Sequence, residues 1–294
     1  MDLWMDIAAE IERTRGRPFE PRTPEPVGGG CINDAHRLSD GRTDYFVKLN
    51  TAARLPMFEA EAAGLALLRE PGAVRVPAPV CTGASDGRAY LVLEFVPMGR
   101  PAAGGWARLG TGLASVHGRT GERFGWNRDN TIGSTPQPNS PDDDWVRFFA
   151  RQRLGLQLDL AAENAHGGRW LDRGYHLVEV LDGLFTGYRP VPSLLHGDLW
   201  SGNVDFDETG APVIFDPAVY FGDRESDLAM TELFGRLPEA FYAAYEEAWP
   251  VDSGYRSRRN LYQLYHILNH LNLFGGGYRG AAARLIDALL AEVG

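Results

Sequence analysis

The stretch Leu194-Leu195-His196-Gly197-Asp198-Leu199-Trp200-Ser201-Gly202-Asn203-Val204 and the stretch Val213-Ile214-Phe215-Asp216-Pro217-Ala218 each deliver polar residues at the end of an apolar, strand-like run. Asn203 lies five residues after Asp198, and Asp216 eighteen. One carboxylate, then an amide, then a second carboxylate is the order expected of a loop that moves a phosphoryl group. Transfer from a nucleotide needs magnesium against the phosphate charge, and magnesium prefers a few hard oxygens of the kind Asn203 and Asp216 carry. It also needs an acceptor hydroxyl held by a carboxylate, a task for Asp198, and a cation on the remaining phosphates. Taken alone, His196-Gly197-Asp198 also suits a structural turn in which the histidine orients the loop by hydrogen bonds.

Composition singles out the cation. Arginine recurs along the whole chain while lysine appears once, at Lys48, within the strand-like run Tyr45-Phe46-Val47-Lys48-Leu49. Arginine replaces lysine readily on surfaces but poorly where a compact ammonium must sit among phosphate oxygens in a confined site. Lys48 is therefore expected to meet the α and β phosphates. In the helical stretch Pro56 to Glu70, Phe58, Glu61, Leu65 and Leu68 fall on one face at 100° per residue. A carboxylate in the middle of an apolar stripe is costly unless a cation meets it. Lys48 is the expected partner of Glu61, and the five side chains are expected to meet on one triphosphate and its ion.

The elements that must position these groups follow from periodicity and breakers. A short helix is expected over residues 7 to 15, then a Pro-rich stretch that cannot continue it. The run Val27 to Leu38 contains Gly28-Gly29-Gly30 and leads through Ser39-Asp40-Gly41 into the Lys48 strand, a hairpin with a glycine-rich segment. Strands are expected over Val80 to Thr82 and Ala89 to Val96. Pro97-Met98-Gly99-Arg100-Pro101 then breaks the pattern, so the boundary is placed there, with an N-terminal nucleotide-binding lobe over 1–96 and a C-terminal catalytic and substrate-binding lobe over 97–294. Helices are expected over Trp106 to His117, Trp145 to Glu163, Trp170 to Tyr188 and most of the chain after Asp223. Phe124 to Pro141, rich in Gly, Asn and Pro, reads as a long ordered loop or a lid. Asp142-Asp143-Asp144 reads as an acid-rich helix start, and Asp223 and Asp227 as residues that cap a helix or pin the loop around Asp198.

The 294 residues are 44% hydrophobic and 23% charged, an ordinary globular composition that excludes collagenous and wholly disordered readings. The net charge of −10 repels phosphate backbones and anionic lipid surfaces, which argues against nucleic-acid and membrane partners. Two cysteines, Cys31 and Cys81, are too few for a disulfide framework and fit a reducing compartment. The opening residues carry Asp2, Asp6 and Glu10 where a secretory signal would be basic and then apolar, and no run approaches the ~20 apolar residues of a membrane span, so a cytoplasmic protein is expected.

Several longer stretches carry a family resemblance: GGGCIN at 28–33, FVKLN at 46–50, FEAEAAGL at 58–65, DNTIGSTPQPN at 129–139, HGDLWSGN at 196–203, DPAVYFGDRESDLAM at 216–230 and YQLYHILNHLNLFGGGY at 262–278. Nearly end to end, the chain resembles the fructosamine kinase (ketosamine 3-kinase) family, in the aminoglycoside phosphotransferase and choline kinase branch of the protein-kinase-like fold. The resemblance implies an α+β fold of two lobes, a small antiparallel sheet with one helix followed by a larger, mostly α-helical lobe. It implies ATP- and Mg2+-dependent phosphorylation of the 3-hydroxyl of a ketosamine (a ribulosamine, erythrulosamine or fructosamine), free or borne on a glycated protein lysine, as a deglycation step. It makes Asp198 the base, Asn203 and Asp216 the magnesium ligands, Lys48 with Glu61 the phosphate-positioning pair, and Glu94-Phe95-Val96 the hinge whose backbone meets adenine.

Some residues fall outside the broader kinase pattern. Val27 to Ile32 is not a G-x-G-x-x-G loop, so Gly28, Gly29 and Gly30 are weaker phosphate contacts than Lys48. Pro217-Ala218 follows Asp216 where many kinases have Phe-Gly, and no activation segment with an obvious phosphosite follows. Trp200, two positions after the base, is a candidate to stack on the substrate's carbon skeleton, the alternative being packing against its own loop. His266 and Asn269 are candidates for the substrate pocket, and Cys31 for an oxidisable switch in the glycine-rich segment. Three other readings stay open: a kinase of aminoglycoside- or choline-type hydroxyls, a nucleotide-binding module without turnover, and a metal-dependent hydrolase using His196, Asp198 and Asp216. The last leaves Lys48 and Glu61 without a purpose.

Overall fold

The structure, a computed structural model, describes residues 2–28 and 33–293. In chain order the first elements are α1 (Leu3–Arg15), β1 (Glu25–Pro26), β2 (Asp34–Ser39), β3 (Asp44–Thr51), α2 (Leu55–Arg69), β4 (Pro79–Ser85), β5 (Arg88–Glu94) and α3 (Gly105–His117). The middle of the chain supplies β6 (Asn130–Ile132), β7 (Thr135–Gln137), α4 (Trp145–Phe149), α5 (Leu156–Glu163), α6 (Arg169–Glu179) and β8 (Ser193–Leu195). Then come β9 (Val204–Phe206), β10 (Pro212–Ile214), β11 (Tyr220–Gly222), α7 (Glu225–Thr231), α8 (Glu239–Ala248), α9 (Tyr255–Phe274) and α10 (Arg279–Val293).

The chain divides into two units, Met1–Gly105 with Val204–Pro217, and Trp106–Asn203 with Ala218–Gly294. The division differs in two ways from the one drawn at residue 96. It falls at Gly105, and it returns the β9–β10 hairpin to the first unit. Backbone hydrogen bonds give the reason: the amides of Ile214 and Gly99 donate to the carbonyls of Arg75 and Phe206 at 3.0 and 2.7 Å, and Arg75 Nη1 reaches Asp207 Oδ2 at 2.6 Å. No local sequence period reports pairings this distant along the chain.

The first unit is built on a five-stranded antiparallel sheet in the order β1-β2-β3-β5-β4. α1 is capped by Asp2, whose side chain accepts from Trp4 N, and turns Ile7, Ala8 and Ile11 into a core with Leu38, Tyr45, Val47, Leu49, Tyr90 and Val92. α1 therefore joins α2 in this unit, two helices where the family resemblance implies one. α2 buries Phe58, Ala60, Gly64, Leu65 and Leu68, the stripe its periodicity predicts, with Pro56 in the first turn where a missing N–H costs nothing.

The second unit is mostly helical. Trp145, Phe148, Phe149, Leu158, Tyr262, Tyr265, Leu268 and Ile286 lie in one buried core. The predicted helix over 145–163 is interrupted by a π turn at Ala150–Gly155, and the one over 170–188 ends at Glu179 and gives way to a 3-10 turn at Leu181–Phe185. Asp144 caps α4, its side chain accepting from Arg147 N, and Asp142 pairs with Arg147. Residues 124–141 are a packed, ordered loop: the β6–β7 hairpin lies within them, and Phe124, Ile132, Thr135, Gln137 and Asn139 are buried. Among the described residues no helix is long and apolar enough to cross a membrane.

Candidate active site

Lys48, Glu61 and Asp216 meet in the first unit. β3 alternates so that Tyr45, Val47 and Leu49 point into the core with α1, and Lys48 leaves the sheet on its other face. Its Nζ donates to Glu61 Oε1 at 2.6 Å and to Asp216 Oδ1 at 2.5 Å. Burial alone would push the ammonium towards neutrality, but the carboxylates of Asp216 and Glu61 outweigh it and hold the Lys48 pKa above the ordinary lysine value. Glu61 is shifted upward by burial, an effect that Asp216 adds to and Lys48 opposes. The set carries one more negative charge than positive, and the Asp216 side chain is 45% exposed, so the surplus sits where a cation can reach it. Asp216 also has φ of 57°, a left-handed backbone that a non-glycine residue holds only when its surroundings demand it.

Two other sequence candidates belong to this unit. Gly28 is described and a Cβ on it would meet nothing within 4 Å, whereas Gly29, Gly30 and Cys31 lie outside the described residues. At the expected hinge, Glu94 N already donates to Ala78 O at 2.8 Å, and its carboxylate accepts from Arg75 at 2.9 Å. Phe95 lies under the Arg37 guanidinium, 5.2 Å from ring centroid to Cζ, and Val96 is buried.

Asp198 and Asn203 meet in the second unit on a loop held by hydrogen bonds and close packing. β8 is wholly buried and pairs with β11, which fixes where the chain emerges at His196. The amides of His196 and Gly197 donate to Oδ2 and Oδ1 of Asp227 at 2.7 and 2.9 Å, and Asp198 N donates to His196 Nδ1 at 3.3 Å. Gly197 has φ of 83°, and a Cβ there would fall 2.0 Å from the Ala218 carbonyl oxygen, so no other residue fits. Asn203 Nδ2 donates to the Asp198 carbonyl at 2.8 Å and lies 3.3 Å from its Oδ2. The amide nitrogen is thereby turned towards Asp198, and of the two amide atoms the oxygen is the one whose chemistry suits a metal.

The pin itself is supported from further away. Burial pushes the Asp227 carboxyl up, but His117, His196 and the Gly197 amide bring it below its ordinary value. His117 lies 3.2 Å from Asp227 Oδ2 through Nε2 and 2.7 Å from the Tyr245 hydroxyl through Nδ1. Sequence reading missed His117 and Tyr245, because nothing in the spacing of residues 117, 227 and 245 signals that they touch. The polar residues of the DNTIGSTPQPN stretch have a related use: Asn130 donates to Val219 O and Gln137 to Ala218 O, while Tyr265 donates to Gln137 and the buried Arg153 to Asn139. Together they fix the segment that follows Pro217.

Of the three candidate substrate contacts, Trp200 is half-buried, its ring lying against Gly202, where a Cβ would come within 2.3 Å of it, and edge-on to Phe234 at 6.1 Å. His266 and Asn269 are instead interior residues of α9, 1% and 2% exposed. Burial pushes the His266 imidazole down to about 3, so it is neutral, and its Nδ1 has no hydrogen-bond partner among the described residues. Asn269 accepts from Gln157 at 3.3 Å. His270, four residues on, contributes its ring to an aromatic cluster.

The donor types fit a magnesium nucleotide. Asn203 and Asp216 offer an amide oxygen and a carboxylate, and the described residues contain no group of three or more His, Cys, Asp and Glu that could hold a metal ion by itself. Donors of this kind suit an ion that keeps water and phosphate oxygens in its shell.

Comparison with known proteins places the chain. The fructosamine kinase family model matches residues 3–292. A probable ketoamine kinase of Synechocystis sp. is 49% identical over 98% of this chain and 97% of its own length. The chloroplastic protein-ribulosamine 3-kinase of Arabidopsis thaliana is 43% identical over 94% of this chain and 85% of its own length. The crystal structure of a putative fructosamine-3-kinase from Haemophilus somnus superposes with a TM-score of 0.90 at 30% identity, covering 98% of this chain and 97% of that one. The choline kinase of Streptococcus pneumoniae, at 14% identity and a TM-score of 0.64 over 99% of this chain and 100% of its own, shares the fold alone. The fold is protein-kinase-like, and with near-complete coverage by the family model and close relatives at this level of identity, the chain belongs to the fructosamine kinase family.

Proposed function

We propose that the protein transfers the γ-phosphoryl group of ATP to the 3-hydroxyl of a ketosamine, a ribulosamine, erythrulosamine or fructosamine, as a step that labilises the sugar adduct. The observation that carries this reading is the Lys48 ammonium bridging Glu61 and Asp216, in a chain whose relatives carry the names ketoamine kinase and protein-ribulosamine 3-kinase. Lys48, oriented by Glu61, exchanges a carboxylate for the α and β phosphates when the nucleotide binds. Phosphate contacts are assigned to Gly28 and, outside the described residues, to Gly29 and Gly30 by sequence alone, and the backbone of Phe95 and Val96, with Glu94 beside them, meets adenine. Asp216 and the amide oxygen of Asn203 would hold magnesium, which would neutralise phosphate charge. Asp198 accepts the proton of the 3-hydroxyl as that oxygen bonds to phosphorus and ADP leaves.

Trp200 touches the acceptor, and His266 and Asn269, being interior, support the pocket from below. The acceptor is a small ketosamine or a glycated protein lysine, not a nucleic acid or a membrane, and the protein works in the cytoplasm. The test is incubation of the purified protein with Mg-ATP and a ribulosamine, with fructosamine, choline and an aminoglycoside alongside. A product phosphorylated at the sugar 3-oxygen, located by phosphorus–proton NMR correlation, is expected. Turnover of only choline or the aminoglycoside would overturn the ketosamine assignment, and binding of ATP without turnover of any acceptor would overturn the kinase.

A further inference from the structure

The C-terminal part of the NHLNLFGGGY stretch presents aromatic side chains that connect to the Asp198 loop through Phe234. Phe234 packs against the ring of His270 with centroids 4.5 Å apart, and His270 in turn meets Phe274 at 5.5 Å and Tyr278 at 5.3 Å. Trp200 joins this train edge-on through Phe234 at 6.1 Å, and the Ser201 hydroxyl donates to the Phe234 carbonyl at 3.4 Å. The train is thus continuous with the turn that carries the base. It also opens outward: Phe274 is 57% exposed, while Trp200, Phe234, His270 and Tyr278 are each half-buried. A continuous train of rings that is partly open to solvent and ends on an exposed phenylalanine marks a place that something apolar covers.

Which molecule covers it follows from the chemistry around it. Whatever lies over Trp200 while Asp198 holds a sugar hydroxyl is attached to that sugar, and in a ketosamine the attachment is a secondary amine, protonated at neutral pH, with its substituent. Aromatic faces attract such an ammonium, and ring edges and faces bury its alkyl or aryl chain. His270 does not spoil this by adding positive charge. Burial drives its imidazole below the ordinary value, against the pull of the His266 carbonyl that its Nδ1 donates to at 2.8 Å.

We propose that Phe234, His270, Phe274 and Tyr278, entered past Trp200, form the subsite for the amine-borne substituent of the acceptor, and that the protein selects adducts whose amine carries an extended alkyl or aryl chain. The inference rests on the ketosamine kinase reading and adds the part of the substrate that the phosphate chemistry never touches. Full burial of a methylene is worth about a fourfold gain in kcat/KM, so a chain half-covered by the rings gains less per carbon.

The experiment measures kcat/KM for ribulosamines bearing N-methyl, N-butyl and N-benzyl groups, at saturating Mg-ATP, in the natural protein and in Phe274→Ser and Tyr278→Ser. In the natural protein the N-benzyl adduct is expected to exceed the N-methyl adduct by about tenfold. Each variant should lower that ratio at least threefold, chiefly through KM of the acceptor, with an unaltered melting temperature. A lysine-borne adduct in a short peptide serves as a fourth acceptor. If it falls in parallel with the N-butyl adduct, the subsite takes a lysyl chain; if only the N-butyl adduct falls, the subsite takes free amines. A natural protein indifferent to the substituent, or variants that lower all adducts by one factor, would overturn the subsite while leaving the kinase intact. Absence of turnover with every ribulosamine would overturn the kinase reading and the subsite with it.

Discussion

The first unit assembles its chemical groups by charge, and the second by hydrogen bonds and steric fit. Lys48 attracts Glu61 and Asp216 across 13 and 168 residues of sequence, and under the proposed function its bonds of 2.6 and 2.5 Å are the ones traded for bonds to phosphate and metal. The Asp198 loop has no such freedom. Its amides are spent on Asp227, its glycine is pressed against a carbonyl, and the residue that orients Asp227 is itself buried at His117. A set held by exchangeable charge suits groups that must rearrange around a nucleotide, whereas one held by packing suits a base that must be in place beforehand.

The comparison can be broken at several points. Replacing the proposed base should have the largest effect: Asp198→Ala is expected to lower kcat by about a thousandfold with ATP affinity retained, since the proposed function has this group act on the acceptor. Steady-state rates with nucleotide binding by calorimetry check both halves, and a rate near that of the natural protein would remove the assigned role. Lys48→Arg keeps the charge but brings a planar fork to a position where two carboxylates approach a single nitrogen, and about a hundredfold loss of kcat is expected. Unchanged turnover there would mean that charge alone suffices in the first unit.

Gly197→Ala probes the opposite principle, because no charge changes. A left-handed alanine costs about 1–3 kcal/mol before the contact with Ala218 is counted. The melting temperature should fall by roughly 5 °C or more, with kcat lowered as the loop shifts. An alanine variant as stable as the natural protein would show that packing does not fix this loop.

The smallest expected effect is a pH dependence within the first unit. Asp207 caps the turn of the hairpin that carries Asp216, accepting from Thr209, Ala211 and Arg75, and the Thr209 and Arg75 bonds hold its carboxyl far below the usual range. A carboxyl depressed in the folded state stabilises fully above its unfolded value of about 3.9 and less as pH falls from there towards its folded value. Melting temperatures should therefore decline below about pH 4 more steeply in the natural protein than in Asp207→Asn, and parallel curves would remove this contribution.

Much of the site was legible before any coordinates. Lys48 stood out as the lone lysine and Glu61 as an acid in an apolar stripe, and the two do pair. Helix α2, the hairpin strands and the helical second half followed from period and breakers, because amphipathic spacing is a local property. The buried His117–Asp227 contact, the return of residues 204–217 to the first unit and the interior position of His266 were not legible. Each depends on partners more than a hundred residues away or on which helix face the neighbours happen to cover.

By itself the amino-acid sequence determined the inventory: one compact ammonium, three carboxylates and an amide in a fixed order, and the apolar faces that must be buried. Tertiary structure decided which of these groups touch. It gave Lys48 both Glu61 and Asp216 as partners, turned Asn203 towards Asp198, and brought the rings of Phe234, His270, Phe274 and Tyr278 into one train beside Trp200. The physical reason is that local periodicity is written in neighbouring residues, whereas the strength of an ion pair or a buried hydrogen bond depends on separation in space, which only the closed chain defines.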